Sequence, residues 1–215
     1  MVLMKCLIEN QTCHFLPQRG VYWEEQKTLI IADVHLGKAT TFRKAGILIP
    51  DGSMETDLRQ LNLLIQNLQP DRCIVVGDLI HATSGLSEYV QNTFTDWLKM
   101  LPCDLHLVMG NHDKNLVKHL PKTWSFHIHA NHFLMEPFYF CHIPCLQEPW
   151  FVWSGHLHPK IELKSRHDRL SLHCFQIFPK LGILPAFSEF VGGSFVKKDS
   201  NCNIFGIVDS SVIKL

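Results

Sequence analysis

Residues 28–35 read TLIIADVH, an apolar run that ends in an aspartate and, two positions later, a histidine. A short apolar run closed by polar residues is typical of a strand buried in a parallel sheet, so we expect Asp33 to emerge at a strand end. Residues 73–76 and 105–109 repeat this pattern, and each run is followed by glycine and further polar residues. The repetition predicts several parallel strands that deliver polar side chains to one edge of a sheet.

Two helices are predicted between these strands. The first has Ser53 as its candidate N-cap, leucine and isoleucine at helical spacing, and Pro70 just beyond its end. The second covers residues 90–101, and Pro102 stops it. Strands that alternate with helices indicate an α/β fold, in which sites form at the carboxyl ends of the strands.

Beyond residue 122 the helical pattern fades, and four further strands are predicted. They cover residues 124–128, 138–142, 150–154 and 169–177. The chain has 215 residues and 46% hydrophobic content, which is enough for one well-buried core. We therefore expect a single domain over residues 1–215.

Composition also limits the classes of function. Lys+Arg and Asp+Glu both total 20, so the formal net charge is +0 and no overall field attracts nucleic acid. No run approaches the ~20 apolar residues of a membrane helix, and the amino-terminal residues do not resemble a signal peptide. The 8 cysteines are scattered and are expected to be reduced thiols. We expect a cytoplasmic protein with no membrane partner.

Seven side chains with metal-binding groups follow predicted strands in order along the chain. They are Asp33, His35, Asp78, Asn111, His142, His156 and His158. Carboxylate, amide and imidazole groups together suit two divalent cations about 3.5–4 Å apart, an arrangement that holds the attacking and the leaving oxygen of a phosphoryl group. The sequence therefore predicts a metal-dependent phosphoesterase.

Asp78 is the expected bridging ligand, because a carboxylate has two oxygens and can bind two cations. The Asp-x-His and His-x-His spacings place both side chains of each pair on one face of an extended segment. Glycines at 77, 110 and 155 are expected to let the backbone pass close to the ions.

His112 is the candidate general acid. Its neighbour Asn111 ligates through its amide oxygen, while the imidazole of His112 points to the substrate and protonates the departing alkoxide. Asp113 is predicted to orient His112 and hold its proton. The expected nucleophile is a metal-bridging hydroxide.

These motifs, taken together, resemble the calcineurin-like metallophosphoesterase superfamily. Within it, the chain is similar to the ligase-associated DNA damage response phosphoesterase family. That similarity rests on LIIADVHLGK at residues 29–38, FRKAGI at 42–47, GDLIH at 77–81 and LPAF at 184–187. The resemblance implies a four-layer αββα sandwich, two divalent metals, and a role in DNA repair beside an ATP-dependent DNA ligase and a helicase.

Carried over to this chain, the resemblance implies two ligand sets that share one aspartate. One metal would be held by Asp33, His35, Asp78 and His158, and the other by Asp78, Asn111, His142 and His156. His142 has rivals in His127, His129 and His132, but it follows a longer apolar run. We expect Mn²⁺ as the activating metal, with Fe or Zn as alternatives.

Substrate contacts are expected from Lys38, Arg43 and His81. Lys38 and Arg43 are candidates for holding substrate phosphate, against the alternative that they only solvate a loop. Two other features permit a DNA substrate, but they are also explained by a solvated hairpin and by packing in the core, respectively. They are the basic stretch Lys160, Lys164, Arg166 and Arg169, and the aromatic residues Trp150, Phe151 and Trp153.

Three hypotheses of function follow. The first is a phosphodiesterase or nuclease that acts on DNA. The second is a phosphohydrolase of small nucleotides or dinucleoside polyphosphates, which the zero net charge favours. The third is a metal-binding scaffold that recruits repair proteins. The presence of His112 and of all seven candidate ligands argues against this third hypothesis.

Overall fold

A computed structural model describes residues 4–50, 52–114, 117–164 and 168–215 of the chain. Two β-sheets contain most of the regular structure. The first sheet has seven strands in chain order: β1 Met4–Ile8, β2 Gln11–Leu16, β3 Gly20–Trp23, β4 Thr28–Ile31, β5 Arg72–Val76, β6 Asp104–Val108 and β7 His127–His129. Strands β1 to β4 pair antiparallel, and β4 to β7 pair parallel.

The second sheet follows in the chain and has nine strands. They are β8 Phe133–Met135, β9 Phe138–Phe140, β10 Phe151–Ser154, β11 Pro159–Lys164, β12 Arg169–Phe178, β13 Leu181–Ile183, β14 Ser194–Phe195, β15 Asn203–Val208 and β16 Ser211–Lys214. Their order is β14-β11-β12-β13-β10-β9-β8, with β15 paired to β12 and β16 paired to β15. Strands β9, β10 and β13 run parallel to one another.

Three α-helices lie between the strands of the first sheet: α1 Lys38–Lys44, α2 Ser53–Leu68 and α3 Glu88–Met100. Short 3-10 turns occur at Thr83–Gly85 and Val117–His119. No helix in the described part of the chain is long and apolar enough to cross a membrane.

One core lies between the two sheets. Ile30 of β4 and Trp153 of β10 are both fully buried there, and Trp153 packs edge-on against Phe15 with ring centroids 6.4 Å apart. Burying a large apolar side chain contributes about 1.5–3 kcal/mol each, so this aromatic-rich layer is a major source of stability. It fixes the second sheet over the first.

A second core lies on the opposite face of the first sheet, under α2 and α3. Alternation along β4 sends Ile30 towards the second sheet and its neighbours Leu29 and Ile31 towards the helices. The helices contribute Leu61 and Phe94, among other buried residues. A third cluster, on the outer face of the second sheet, joins Ile161, Leu172, Cys174 and Ile204.

The predicted α/β sandwich is confirmed in its two sheets and in the strands and helices of the first half. Among the described residues, the three α-helices all precede residue 101, and no α-helix accompanies the strands of the second sheet. Helices α2 and α3 therefore form the helical layer on the first sheet, which is one of the two helical layers of the expected αββα arrangement.

Local details differ from the sequence prediction: the strand predicted at residues 138–142 ends at Phe140, and two further differences have identifiable causes. Gly52, with φ 99°, is the N-cap of α2, and Ser53 is the first helical residue, so the predicted cap was wrong. The strand predicted at residues 124–128 begins later, at His127, because the backbone N–H of Trp124 closes a turn by donating to Pro121 O at 3.0 Å and its indole Nε1 donates to Thr95 Oγ1. At β12 the prediction agrees with Arg169–Phe178.

Candidate metal centre

Five parallel strands from the two sheets place their polar residues at one edge of the sandwich. The ligand candidates come two or three residues after the ends of β4, β5, β6, β9 and β10; they are Asp33, Asp78, Asn111, His142 and His156. His35 and His158 lie two residues beyond Asp33 and His156. The expected convergence of strand ends thus brings all seven side chains to one place.

The backbone is left-handed at five of these ligand residues. Their φ values are Asp33 57°, His35 49°, Asp78 50°, His156 70° and His158 46°. Non-glycine residues in this region cost about 1–2 kcal/mol each and persist where the surroundings hold them. Here Asp33 N donates to Gly77 O at 3.1 Å and His35 N donates to Asp78 O at 2.8 Å. Strain of this kind concentrates at functional sites.

Two glycines make room for the ligands themselves. A Cβ on Gly77, whose φ is 84°, would lie 2.0 Å from Nδ1 of His142. A Cβ on Gly110 would lie 2.0 Å from Oδ1 of Asp78. The glycines following the strands are therefore required by the close approach of ligand side chains to the backbone.

The first group of ligands joins Asp33, His35 and His158. One ligand atom from each lies within 4.8 Å of the others. Asp33 Oδ1, His35 Nε2 and His158 Nε2 are buried and have no hydrogen-bond partner among the described residues. A buried polar atom without a hydrogen bond costs about 1–3 kcal/mol, and Asp33 Oδ1 and His158 Nε2 face each other at 3.2 Å, so the convergence of the three atoms fits a bound cation.

The second group surrounds Nε2 of His142. This nitrogen lies 3.3 Å from Asp78 Oδ2, 3.0 Å from Asn111 Oδ1 and 3.2 Å from His156 Nδ1. Two imidazole nitrogens, a carboxylate oxygen and an amide oxygen form a ligand set that borderline divalent metals accept.

Asp78 connects the two groups through a single oxygen. Its Oδ2 lies 3.3 Å from His142 Nε2 in the second group and 3.9 Å from His35 Nε2 in the first. Its other oxygen, Oδ1, accepts a hydrogen bond from the backbone N–H of His112 at 2.9 Å. The carboxylate is thus held in position while Oδ2 is shared.

Backbone carbonyls orient three of the imidazoles. Nδ1 of His142 lies 3.2 Å from Val76 O, Nδ1 of His158 lies 3.1 Å from Gly192 O, and Nδ1 of His112 lies 2.6 Å from His81 O. Since a carbonyl oxygen only accepts, each Nδ1 carries a hydrogen, and Nε2 is the ring nitrogen that faces the site. Sequence reasoning missed these partners because backbone carbonyls carry no residue signature.

Asp113 has a different role from the one predicted. Its carboxylate accepts hydrogen bonds from the backbone N–H groups of Leu79, Ile80 and Gly110 at 3.3, 3.1 and 2.9 Å. The prediction that Asp113 orients His112 was wrong, since His81 O holds the Nδ1 hydrogen of that imidazole. Asp113 instead ties the loop after β5 to the loop after β6.

Burial and neighbouring charges set the protonation states. Burial lowers the pKa of His35 to about 3 and that of His81 to about 4. Burial would raise the pKa of Asp78, but its hydrogen bond to His142 holds that pKa below the usual range. Burial would lower the pKa of His142, but Asp78 and Asp33 raise it. The carboxylates here attract positive charge, as a metal site requires.

The remaining predicted site residues surround the first ligand group. His81 Nδ1 lies 3.3 Å from His35 Nδ1, and the His81 ring stacks on His112 with centroids 5.0 Å apart. Lys38 and Arg43 line a cavity of about 390 Å³ that also includes His35. Burial lowers the pKa of Lys38. All three residues predicted to contact substrate therefore lie beside the centre.

The rival histidines lie elsewhere. His127 and His129 are on β7 beside His106, and His132 stacks on Tyr139 with centroids 4.8 Å apart. His142 is thus the histidine of this region that reaches Asp78.

The two features that permitted DNA binding have structural partners. In the basic stretch, Lys164 Nζ lies 2.8 Å from Glu162 Oε2 and Arg169 pairs with the same carboxylate at 3.9 Å. Arg166 lies outside the described residues. Phe151 and Trp153 are buried in the core between the sheets, and all eight cysteines are free thiols.

A two-sheet sandwich that gathers aspartate, asparagine and histidine ligands at one edge defines a metal-dependent phosphoesterase. The family model of the calcineurin-like phosphoesterases matches residues 26–180, and the chain belongs to this family. It is a metal-dependent hydrolase.

Solved structures resemble the chain to different degrees. Nuclease MPE of Pseudomonas putida is 28% identical, with a TM-score of 0.86 and 100% coverage of both chains. The phosphoesterase Yfce from E. coli is 17% identical with a TM-score of 0.44, covering 87% of this chain and 97% of its own. Protein AQ665 from Aquifex aeolicus, of unknown function, is 21% identical with a TM-score of 0.43, covering 65% and 81%. No curated protein matches the sequence.

Proposed function

We propose that the protein is a phosphodiesterase that cleaves DNA with two divalent cations, Mn²⁺ being the preferred metal. The observation that carries this proposal is the position of Asp78 Oδ2 between His142 Nε2 at 3.3 Å and His35 Nε2 at 3.9 Å. One cation is assigned to Asp33, His35, Asp78 and His158, and the other to Asp78, Asn111, His142 and His156.

The proposed reaction uses chemistry supplied by the bound cations and a proton supplied by His112. When bound, a pair of divalent cations lowers the pKa of coordinated water and offsets charge on phosphoryl oxygens. As the imidazolium, His112 would give the proton on Nε2 to the departing alkoxide and be left as the neutral Nδ1–H tautomer, whose Nδ1 hydrogen goes to His81 O. The side chain of His112 is 36% exposed, so solvent and a substrate can reach it.

The substrate assignment depends on similarity and on local charge. One solved structure that matches over the full length of both chains is that of a nuclease. The cavity beside His35 brings Lys38 and Arg43 together with the aromatic side chains of Tyr89 and Phe190. Cationic groups suit backbone phosphates and aromatic rings suit stacked bases, which supports a nucleic-acid strand as substrate.

A cellular role follows from the resemblance noted in the sequence. We assign the protein to DNA repair in the cytoplasm, with an ATP-dependent DNA ligase and a helicase as partners. The organisation of residues 1–215 as one domain stays a prediction.

Substrate preference tests this function. Metal-stripped protein refilled with Mn²⁺ is assayed on bis-p-nitrophenyl phosphate, p-nitrophenyl phosphate and a labelled single-stranded oligonucleotide. We expect cleavage of the diester and the oligonucleotide. Oligonucleotide affinity should fall steeply as salt rises, since phosphate contacts release counterions.

Two results would change the assignment. Turnover of the monoester alone would indicate a phosphatase of small nucleotides, the second hypothesis. No turnover of any substrate by fully metallated protein would contradict the enzymatic proposal and favour the scaffold.

A further inference from the structure

A second group of metal-binding side chains lies on β6 and β7, away from the carboxyl ends that carry the catalytic ligands. In the parallel pairing of these strands, His106 is the register partner of His127, and Val108 is the partner of His129. Residues two apart on a strand share a face, and register partners in a parallel pair point the same way. Asp104, His106, His127 and His129 therefore share one face of the sheet.

Three of these side chains converge. One ligand atom each from Asp104, His106 and His127 lies within 4.8 Å of the other two. Around an ion with bonds of about 2.0–2.1 Å, tetrahedral ligand atoms are about 3.3 Å apart. Asp104 and His127 are exposed, so their side chains have room to close this difference by rotation.

The His106 ring is fixed from behind. Its Nδ1 lies 3.0 Å from His129 Nε2, and the two rings are nearly parallel at 7°. Phe133 of the second sheet stacks on both rings, with centroids 4.9 and 4.1 Å away. In the tautomer whose Nδ1 hydrogen goes to His129, the lone pair of His106 remains on Nε2. This arrangement orients a buried imidazole as a ligand.

We propose that Asp104, His106 and His127 bind a third divalent cation, with zinc as the best match. Two imidazoles and one carboxylate are a ligand set that zinc accepts, with solvent completing the coordination at an exposed site. The cation would join β6 to β7, the three-residue edge strand of the first sheet. Arg72, the register partner of Asp104 on β5, opposes positive charge here, so affinity is lower than at the catalytic centre.

Zinc stoichiometry tests the proposal. Chelator-stripped protein is dialysed against Zn²⁺ and its bound zinc is measured by mass spectrometry. Wild-type protein should bind one equivalent more than His127→Ala or Asp104→Asn. His132→Ala is the matched control, since His132 is an exposed histidine on the next segment that stacks on Tyr139. It should bind as much zinc as wild type.

The same measurement separates this site from the catalytic one. The Asp78→Ala variant should still bind the one equivalent of zinc assigned to the His127 site. The Asp78→Ala, His127→Ala double variant should lose that equivalent. Phosphoesterase activity of His127→Ala should match that of wild type. Equal zinc content in wild type and in both single variants at this site would overturn the proposal, whatever the substrate of the catalytic centre.

Discussion

Nδ1 of His112 lies 2.6 Å from the carbonyl oxygen of His81. This contact fixes the tautomer of His112, because the carbonyl can only accept a hydrogen bond. It leaves Nε2, which lies 3.9 Å from Asp78 Oδ2, as the nitrogen that exchanges protons with a substrate. The loop after β5 therefore contributes both Asp78, the proposed shared ligand, and the carbonyl that orients His112, the proposed acid.

Replacing His112 should remove proton transfer without removing the metals. We expect kcat of His112→Ala to fall by about 10²–10⁴-fold, the usual contribution of general acid catalysis, with metal content unchanged. His119→Ala, at an exposed histidine in a 3-10 turn, is the control and should keep full activity. Unchanged turnover in His112→Ala would remove this residue from the mechanism.

Replacing Asp78 should affect both cations, because its Oδ2 is shared between the two ligand groups. In metal analysis after dialysis against Mn²⁺, Asp78→Ala should retain neither catalytic ion, whereas the exposed Asp71→Ala should retain both. Two ions still bound to Asp78→Ala would show that the bridging assignment is mistaken.

Substitutions at Gly77 and Gly46 distinguish the effect of backbone strain from the effect of a steric clash with a neighbouring side chain. Both have positive φ, 84° and 81°, but a Cβ on Gly77 would lie 2.0 Å from His142 Nδ1, while one on Gly46 would meet nothing within 4 Å. Gly46→Ala should cost about 1 kcal/mol of stability and keep activity. Gly77→Ala should displace His142 and lose most activity and metal. Equal activity losses in the two variants would argue against the steric explanation.

Asp57 should make stability depend on pH. Burial raises the pKa of Asp57 from 3.8 to about 6, so the folded state favours the protonated carboxyl. The resulting contribution to folding stability is complete below pH 3.8 and is lost as the pH rises through 6. Above that, the buried carboxylate costs at most about 3 kcal/mol. Urea unfolding of Asp57→Asn should therefore show more stability than wild type at pH 8 and little difference at pH 4.

The exposed Asp96→Asn is the control for this measurement and should show no such pH dependence. A constant difference between Asp57→Asn and wild type across this range would mean that the ionised form of Asp57 is not disfavoured in the folded protein.

The strands and helices around the centre could be predicted because their apolar patterns are strong. Residues 29–32 of the β4 run and 73–76 of the β5 run are all apolar, and residues 105–108 of the β6 run are apolar except for His106. Helix α2 has leucines at helical spacing. Helix α1 escaped prediction, since only Ala39 is buried and no apolar stripe marks it. The short strands β1 to β3 were not predicted either, because they are defined by antiparallel pairing with one another.

The candidate ligand residues could be identified from the sequence, but the groups that orient them could not. The spacing of Asp33 and His35 after an apolar run indicated a site. The partners of the imidazoles are the carbonyls of His81, Val76 and Gly192, and any residue type can supply a carbonyl. The role expected of Asp113 failed for the same reason, since adjacency to His112 in sequence does not determine where the carboxylate points.

The most direct test is a crystal structure of the protein soaked in Mn²⁺, with anomalous difference density recorded at the manganese edge. We expect two peaks at the strand ends, about 3.5–4 Å apart, with Oδ2 of Asp78 coordinated to both. A single peak at this centre, or two peaks that share no oxygen of Asp78, would contradict a binuclear site.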